Sequence, residues 1–215
     1  MIFETRYKAW EYLSTKIANK IADYSNTIIL GILKWALPIV YQVSQELNIP
    51  ASFLVVKNLT YNDVKFWVTT SNGINLYNKW LIDKLWLDTM KVKEIQREKY
   101  EEAKYDKEKY DLYYNDYSWK QVIIIDEWIY TWLTAVAASK YAKQLGASRV
   151  ILAVPVARSV VIDRIKNFFD EIICIETVED RTFNLSKYYM SFYKLWSEDV
   201  NELFYKLKAK SLFLG

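Results

Sequence analysis

The feature that most constrains the fold is a set of short apolar runs that alternate with helical patterns. The five runs are residues 27–30, 52–56, 122–125, 150–154 and 172–175. Runs of this length and composition are typical of strands buried on both faces, and helices between such strands cover the two faces of a parallel sheet. The alternation predicts an α/β protein with three layers, in which a mainly parallel sheet carries helices on both faces. With no flexible linker in the sequence, a single domain over residues 1–215 is expected.

The segments between the runs predict the remaining elements. Apolar spacing indicates helices over residues 7–24, 37–47, 134–145 and 160–169, and a hairpin over residues 65–76 that turns at 71–73. Gly146 is placed to stop the helix before it. Residues 78–116 form a long helical excursion whose second half is charged and carries regularly spaced tyrosines. This half is either a solvated helix held by ion pairs one turn apart, or a lid or partner-binding arm.

Composition excludes several classes of chemistry. The 215 residues contain no histidine and one cysteine, Cys174, so a histidine-activated nucleophile, an imidazole metal site and an intrachain disulfide are all excluded. The net charge of +3 is too small to indicate nucleic-acid binding by itself. Every apolar run is shorter than the ~20 residues that cross a membrane. A soluble, cytoplasmic protein without a membrane partner is expected.

Glycine is scarce and aromatic residues are abundant. The chain has 4 glycines, against 9 tryptophans and 18 tyrosines. Glycine permits tight loops that approach a ligand closely, whereas aromatic side chains fill space. The loops of this chain are therefore expected to be bulkier than those of a typical ligand-binding α/β protein.

A candidate site follows the apolar run 122–125, because ligands of open parallel sheets bind beyond the carboxyl ends of the strands. Asp126 and Glu127 come directly after the run, and Thr131 and Thr134 follow at the start of a helix. This pattern resembles the phosphoribosyl-pyrophosphate motif of type I phosphoribosyltransferases, in which an acid pair precedes a turn with glycines and two threonines. Tryptophans, Trp128 and Trp132, stand at the two glycine positions.

A second loop resembles the pyrophosphate loop of the same family. Lys34 matches its basic residue, Pro38 matches its proline, and Trp35 and Ala36 replace its two glycines. Further stretches, including residues 3–13, 50–59, 145–157 and 170–177 and the segments 183–192 and 197–200, are similar to a prokaryotic subfamily of predicted phosphoribosyltransferases. The resemblance extends in order over nearly the whole chain and implies the phosphoribosyltransferase fold for a divergent member.

The resemblance also implies a chemistry. Enzymes of this family bind phosphoribosyl pyrophosphate with magnesium, and a nitrogenous base displaces pyrophosphate through a cation-like transition state. Their acid pair contacts the ribose hydroxyls, and the 5′-phosphate lies against backbone N–H groups at a helix start. Tryptophan at Trp35, Trp128 and Trp132 is expected to block or reshape these pockets. We therefore expect phosphoribosyl pyrophosphate binding to be lost or weakened, with no metal and no cofactor, magnesium being needed only if the protein is active.

Simpler interpretations of the same residues remain open. Asp126 and Glu127 could merely close a strand, and either threonine could serve as a helix N-cap. Lys34 could be a solvated lysine, and the tryptophans could belong to the core or to an interface.

Three functions are compatible with the sequence. The first is a degenerate phosphoribosyltransferase-like protein that acts as a binding or structural module, with a protein partner or a second copy of itself. The second is an active magnesium-dependent transferase that uses Asp126, Glu127 and an unusual acceptor. The third is a nucleic-acid-associated regulator, for which the lysine- and tyrosine-rich segment 100–114 would supply the contact.

Overall fold

The sheet and its connections are described by a computed structural model that covers residues 2–179, 185–191 and 197–215. The strands are β1 (Phe3–Thr5), β2 (Thr27–Leu33), β3 (Ala51–Tyr61), β4 (Val64–Thr70), β5 (Asn75–Tyr77), β6 (Gln121–Ile125), β7 (Trp128–Ile129), β8 (Arg149–Arg158), β9 (Glu171–Val178) and β10 (Tyr189–Ser191). The α-helices are α1 (Arg6–Ala18), α2 (Leu37–Leu47), α3 (Lys79–Lys84), α4 (Thr89–Lys109), α5 (Trp132–Gln144), α6 (Ser159–Ile165) and α7 (Ser197–Ala209).

The main sheet has the order β5-β4-β3-β2-β6-β8-β9. Strands β3, β2, β6, β8 and β9 are parallel, and β4 and β5 add an antiparallel hairpin at one edge. Strand β7 continues β6 in the same register on β8, since Ile125 pairs with Ala153 and Trp128 pairs with Val156. Strands β1 and β10 form a separate two-stranded sheet. The residues between β6 and β7 therefore interrupt one long strand.

Alternating side chains of the sheet supply two cores. Ile29 and Ile123 point to the face covered by α1, α2 and α7, whereas Leu30 and Ile124 point to the face covered by α5 and α6. Each buried side chain of this size stabilises the fold by roughly 1.5–3 kcal/mol. Gly31 is required between these layers, because a Cβ there would lie 2.7 Å from both Phe53 and Val40. This arrangement confirms the predicted three-layer, mainly parallel α/β fold.

Several predicted boundaries move. The helix predicted over residues 7–24 ends at Ala18, because the Asp23 carboxylate accepts the N–H groups of Ser25 and Asn26 in a turn that leads into β2. Helix α5 begins two residues earlier than predicted and stops before Gly146, whose φ of +90° confirms the predicted glycine stop. The resemblance over residues 183–192 lies partly outside the described residues.

The excursion over residues 78–116 is two helices, which corrects the prediction of one long helical stretch. Helix α3 ends at Lys84, Trp86 takes a left-handed φ of 50°, and the Asp88 side chain caps α4. Helix α4 packs on β3, where Lys57 donates to Asp106 over 2.7 Å. Ion pairs three residues apart continue along α4, including Lys104 with Glu101 at 2.9 Å. These pairs support the interpretation of α4 as a solvated helix held by ion pairs, whose other face packs on β3.

Among the described residues, we find no helix that is both long enough and apolar enough to cross a membrane.

Candidate phosphate-binding site

A cavity of about 580 Å³ lies at the carboxyl ends of β2 and β6. It contains five of the predicted site residues: Trp35, Asp126, Trp128, Thr131 and Thr134. The rest of its wall consists of Ile32, Leu33, Val56, Asn58, Asp63, Val64, Lys65, Leu81, Tyr130 and Arg158. A cavity of this size is typical of sites for small ligands. The sheet edge predicted from the sequence is therefore a concave site, and the excursion reaches it through Leu81 of α3.

Four predicted residues do not line the cavity. Lys34 is exposed on the neighbouring loop, and Ala36 is buried at the start of α2. Glu127 is buried outside the cavity, beside Arg6. Trp132 is the first residue of α5, and its indole packs against the core and against Arg164, whose guanidinium carbon lies 5.0 Å from the ring centroid. The prediction that Trp132 obstructs the pocket is thereby corrected, because the helix directs its side chain away from the cavity.

Asp126 occupies the break between β6 and β7 and faces the cavity. Its Oδ1 accepts the backbone N–H of Glu127 over 2.8 Å, and the residue is 8% exposed. Burial raises the pKa of Asp126 to about 7, while the hydrogen bond from Glu127 and the charge of Lys65 act in the opposite direction. This carboxyl group therefore ionises less readily than an aspartate in water.

Glu127 follows Asp126 in the break between β6 and β7 and does not line the cavity. Its carboxylate forms a buried salt bridge with Arg6 at the start of α1. Burial raises the pKa of Glu127 to about 7, and the Arg6 guanidinium opposes that rise. Arg6 also lies over the Trp10 ring at 5.7 Å. The second acid therefore anchors the N-terminal segment and is not presented to a ligand.

Lys65 is a site residue that sequence reasoning missed. It extends from β4, and its Nζ donates to Thr134 Oγ1 over 2.5 Å. Burial lowers the pKa of Lys65 to about 8, and the Asp126 carboxylate opposes that shift. No local pattern distinguishes this lysine in the sequence. Its position depends on the antiparallel hairpin that places β4 beside the helix start.

The turn into α5 retains the features of an anion site. Thr131 is the N-cap of α5 and makes no side-chain capping bond, and the first-turn amides of any helix have no intrahelical acceptor. Trp128 stacks with Tyr130 at a centroid distance of 6.1 Å, and the Arg158 guanidinium carbon lies 5.2 Å from the Tyr130 centroid. The turn therefore combines a helix start and hydroxyl groups with two nearby cations, Lys65 and Arg158.

The loop after β2 differs from that turn. The Ala36 N–H donates to Ile32 O over 3.2 Å, the Leu37 N–H donates to Lys34 O over 3.1 Å, and Pro38 has no N–H. The Leu33–Lys34 peptide bond is cis. Neither the Ala36 amide nor the Leu37 amide is free for a ligand, and the Trp35 indole, 49% exposed, forms part of the cavity wall beside them.

The raised pKa of Asp126 predicts a pH-dependent stability. A group whose pKa is raised from 3.8 to about 7 favours the folded state at low pH, and this contribution is lost as pH rises through about 7. Asp126→Asn should therefore raise the unfolding free energy by on the order of 2 kcal/mol at pH 8 and by little near pH 4. Thermal denaturation at the two pH values measures the difference, which corresponds to roughly 4–8 °C at pH 8.

The matched control for this prediction is Asp63→Asn, which removes an exposed carboxylate from the same cavity wall and relieves no buried charge. If Asp126→Asn raised the free energy of unfolding equally at both pH values, the raised pKa of Asp126 would be contradicted.

Together, the fold and the site define an α/β protein with a cavity at the carboxyl ends of the strands of a mainly parallel sheet. The sequence profile of the phosphoribosyl transferase domain matches residues 3–186, and the chain belongs to that family. Two predicted phosphoribosyl transferases of Mycobacterium tuberculosis, from strains CDC 1551 and H37Rv, are each 25% identical to the chain over 169 residues. These matches cover 75% of this chain but only 38% of each relative.

Solved structures show the same fold. The protein TT1426 from Thermus thermophilus has a TM-score of 0.75 and 18% identity, and the alignment covers 96% of this chain and 99% of that one. A hypoxanthine phosphoribosyltransferase from Staphylococcus aureus has a TM-score of 0.50 and 12% identity, with 84% and 78% covered. At these identities the likeness concerns the fold alone.

Proposed function

We propose that this domain is a binding module for a phosphate monoester, built on the phosphoribosyltransferase fold and degenerate as a transferase. The observation that carries the proposal is the contrast between the two loops. The turn into α5 offers a helix start with two nearby cations, whereas in the loop before α2 the Ala36 and Leu37 amides are bonded internally and the Trp35 indole is half exposed.

The phosphate would lie at the start of α5. A helix N-terminus favours anions through its unpaired amides and its dipole. Lys65 already donates to Thr134 in the first turn of the helix, so its ammonium is placed to donate to a phosphate oxygen there. Arg158 adds a second positive charge on the cavity wall. Three independent contributions to anion binding therefore converge on one turn.

Loss of transferase activity follows from the acid pair and the other loop. Family members contact ribose with two acids, but here Glu127 is bound by Arg6 and only Asp126 faces the cavity. A pyrophosphate group beside α2 would meet the Trp35 indole in place of free backbone amides. Both the donor substrate and its leaving group would therefore be held weakly.

Magnesium fits the site only as an ion that the ligand brings. Among the described residues there is no cluster of three or more His, Cys, Asp or Glu side chains that could hold a metal ion. Magnesium is commonly bound by one or two carboxylates together with substrate phosphates, and Asp126 is the carboxylate placed for that role. Phosphate binding without magnesium is accordingly expected.

Calorimetric titration tests the proposed function. Ribose 5-phosphate should bind, and phosphoribosyl pyrophosphate with magnesium should bind within about threefold of it, because the pyrophosphate group gains no contacts. Incubation with nitrogenous bases should release no pyrophosphate. Binding of phosphoribosyl pyrophosphate more than about thirtyfold tighter than ribose 5-phosphate, together with pyrophosphate release, would establish the active transferase instead.

The cavity beside Asp126 is the observation that favours the active transferase as a second candidate. Its volume is about 580 Å³, so the indoles on its wall do not fill it. The nucleic-acid hypothesis gains no such support, because the basic side chains along α4 include several paired with acids of the same helix. A protein partner or self-association remains a proposal, for which exposed side chains such as Trp80, Trp86 and Met90 offer apolar surface.

A further inference from the structure

Arg158 is a cavity residue whose side chain contacts an aromatic ring. It is the last residue of β8, and its guanidinium carbon lies 5.2 Å from the centroid of the Tyr130 ring. Among the described residues, no acid forms an ion pair with Arg158, and its buried Nε lacks a hydrogen-bond partner. A buried donor of this kind is costly unless an acceptor reaches it. The guanidinium is therefore held by a ring and keeps N–H groups for a ligand.

The register of the sheet explains why Tyr130 and Arg158 meet. Strand β7 pairs in parallel with β8, with Ile129 beside Ala157, so the residues that follow, Tyr130 and Arg158, are neighbours. Tyr130 also directly precedes Thr131, the N-cap of α5. Tyr130 and Arg158 both line the cavity. A guanidinium over this ring therefore lies beside the turn proposed to bind phosphate.

Trp128 gives the Tyr130 ring a second neighbour. The two rings stack with centroids 6.1 Å apart and planes inclined by 23°. Trp128 lines the cavity as well and stands at a position where the motif of the family has glycine. Its indole packs on the ring that contacts Arg158, so this substitution has a structural consequence besides reducing the space in the turn.

Stacking on a ring restricts a guanidinium without using its N–H groups. The attraction acts through the face of the ring, whereas the donors of the planar guanidinium point outward in its own plane. A long side chain that is free in solution loses conformational entropy when a ligand immobilises it. An arginine that already lies on a ring needs less ordering when phosphate binds.

We propose that Tyr130 is a positioning residue that holds the Arg158 guanidinium ready to donate to a phosphate oxygen at the start of α5. The inference rests on the proposed function and adds to it the residue that fixes the second cation. Tyr130 acts through Arg158 and makes no contact of its own with the phosphate.

Calorimetric titration with ribose 5-phosphate across a double-mutant cycle tests the inference. Tyr130→Leu should weaken binding about 2- to 12-fold, because the Arg158 side chain must then be ordered when the ligand binds. Tyr130→Phe should bind within about twofold of the unmodified protein, because phenylalanine keeps an aromatic face. In the Arg158→Met background, Tyr130→Leu should have no further effect, because the side chain that Tyr130 positions is absent.

Nuclear magnetic resonance of the ligand-free protein supplies a second readout. The heteronuclear NOE of the Arg158 Nε–H group should fall in Tyr130→Leu and be retained in Tyr130→Phe, since it reports the mobility of the guanidinium. The matched control is Tyr113→Leu, which removes an exposed tyrosine that lies 5.5 Å from the Lys107 ammonium and does not line the cavity. It should leave the affinity for ribose 5-phosphate unchanged.

The outcomes separate this inference from the proposed function. If Tyr130→Leu weakens binding equally with and without Arg158, or leaves the Arg158 NOE unchanged, the inference is overturned and the proposed function stands. The same holds if Tyr130→Phe loses as much affinity as Tyr130→Leu, because the hydroxyl group and not the ring would then be responsible. If the unmodified protein does not bind ribose 5-phosphate, both are overturned.

Discussion

Replacing Arg6 with methionine should lower the free energy of unfolding by about 3–5 kcal/mol. This is the usual loss of stability when one partner of a buried ion pair is removed and the other charge stays buried. Arg6 and Glu127 are both buried, so the carboxylate would remain without its guanidinium in a site that water scarcely reaches. Urea denaturation followed by circular dichroism measures the loss. The loss of stability is expected to be large because the Arg6–Glu127 ion pair joins α1 to the break between β6 and β7.

A second variant separates a charge effect from a packing effect. Arg6→Met combined with Glu127→Leu removes both charges and should recover most of the lost stability, because replacing a whole buried ion pair by apolar groups is often neutral. The single variant should also lose more stability at pH 8 than at pH 5, since burial already raises the pKa of Glu127 to about 7 with Arg6 opposing. A loss below about 1 kcal/mol in the single variant, typical of a surface pair, would contradict the structural role.

Replacing Lys65 with methionine should weaken the binding of ribose 5-phosphate by about 10- to 150-fold, the range expected for a charge-assisted hydrogen bond to phosphate. The Lys65 ammonium donates to the Thr134 hydroxyl in the first turn of α5 over 2.5 Å, so it lies beside the proposed phosphate position. Calorimetric titration at low and moderate salt measures the change.

The control for Lys65 is Lys34→Met, which removes an exposed lysine of the neighbouring loop that does not line the cavity. Its effect on affinity should be small and should disappear with salt. Binding by the unmodified protein should also weaken as pH rises above about 8, because burial lowers the pKa of Lys65 to that value and the neutral amine carries no charge. If Lys34→Met weakened binding more than Lys65→Met, the resemblance-based choice of Lys34 would be restored.

The fold was accessible from the sequence because each buried strand is a local apolar run and each helix has its own periodicity. Strands β2, β6 and β8 contain the apolar runs that predicted them and extend beyond them by one to five residues, and α2 has the predicted bounds. Asp126, Thr131 and Thr134 were found because a short motif places them at a strand end and a helix start, where local sequence determines position.

The parts of the site that were missed depend on distant contacts. Arg6 meets Glu127 only after α1 has packed on the sheet, and Lys65 reaches Thr134 only because β4 pairs with β3. Glu127 differs in one respect. It is adjacent to Asp126 in sequence, yet in the break between β6 and β7 only Asp126 lines the cavity, and Glu127 pairs with Arg6. The acid pair was treated as a unit because the motif, and not the strand, guided the interpretation.

The most direct test of the account is the location of phosphate in crystals of the protein grown with ribose 5-phosphate and, separately, with phosphoribosyl pyrophosphate and magnesium. The account predicts one phosphate, bound to the first-turn amides of α5 and to Lys65, and no ordered pyrophosphate beside residues 34–37. Pyrophosphate ordered on the loop before α2, with the Trp35 indole displaced from the cavity, would contradict it.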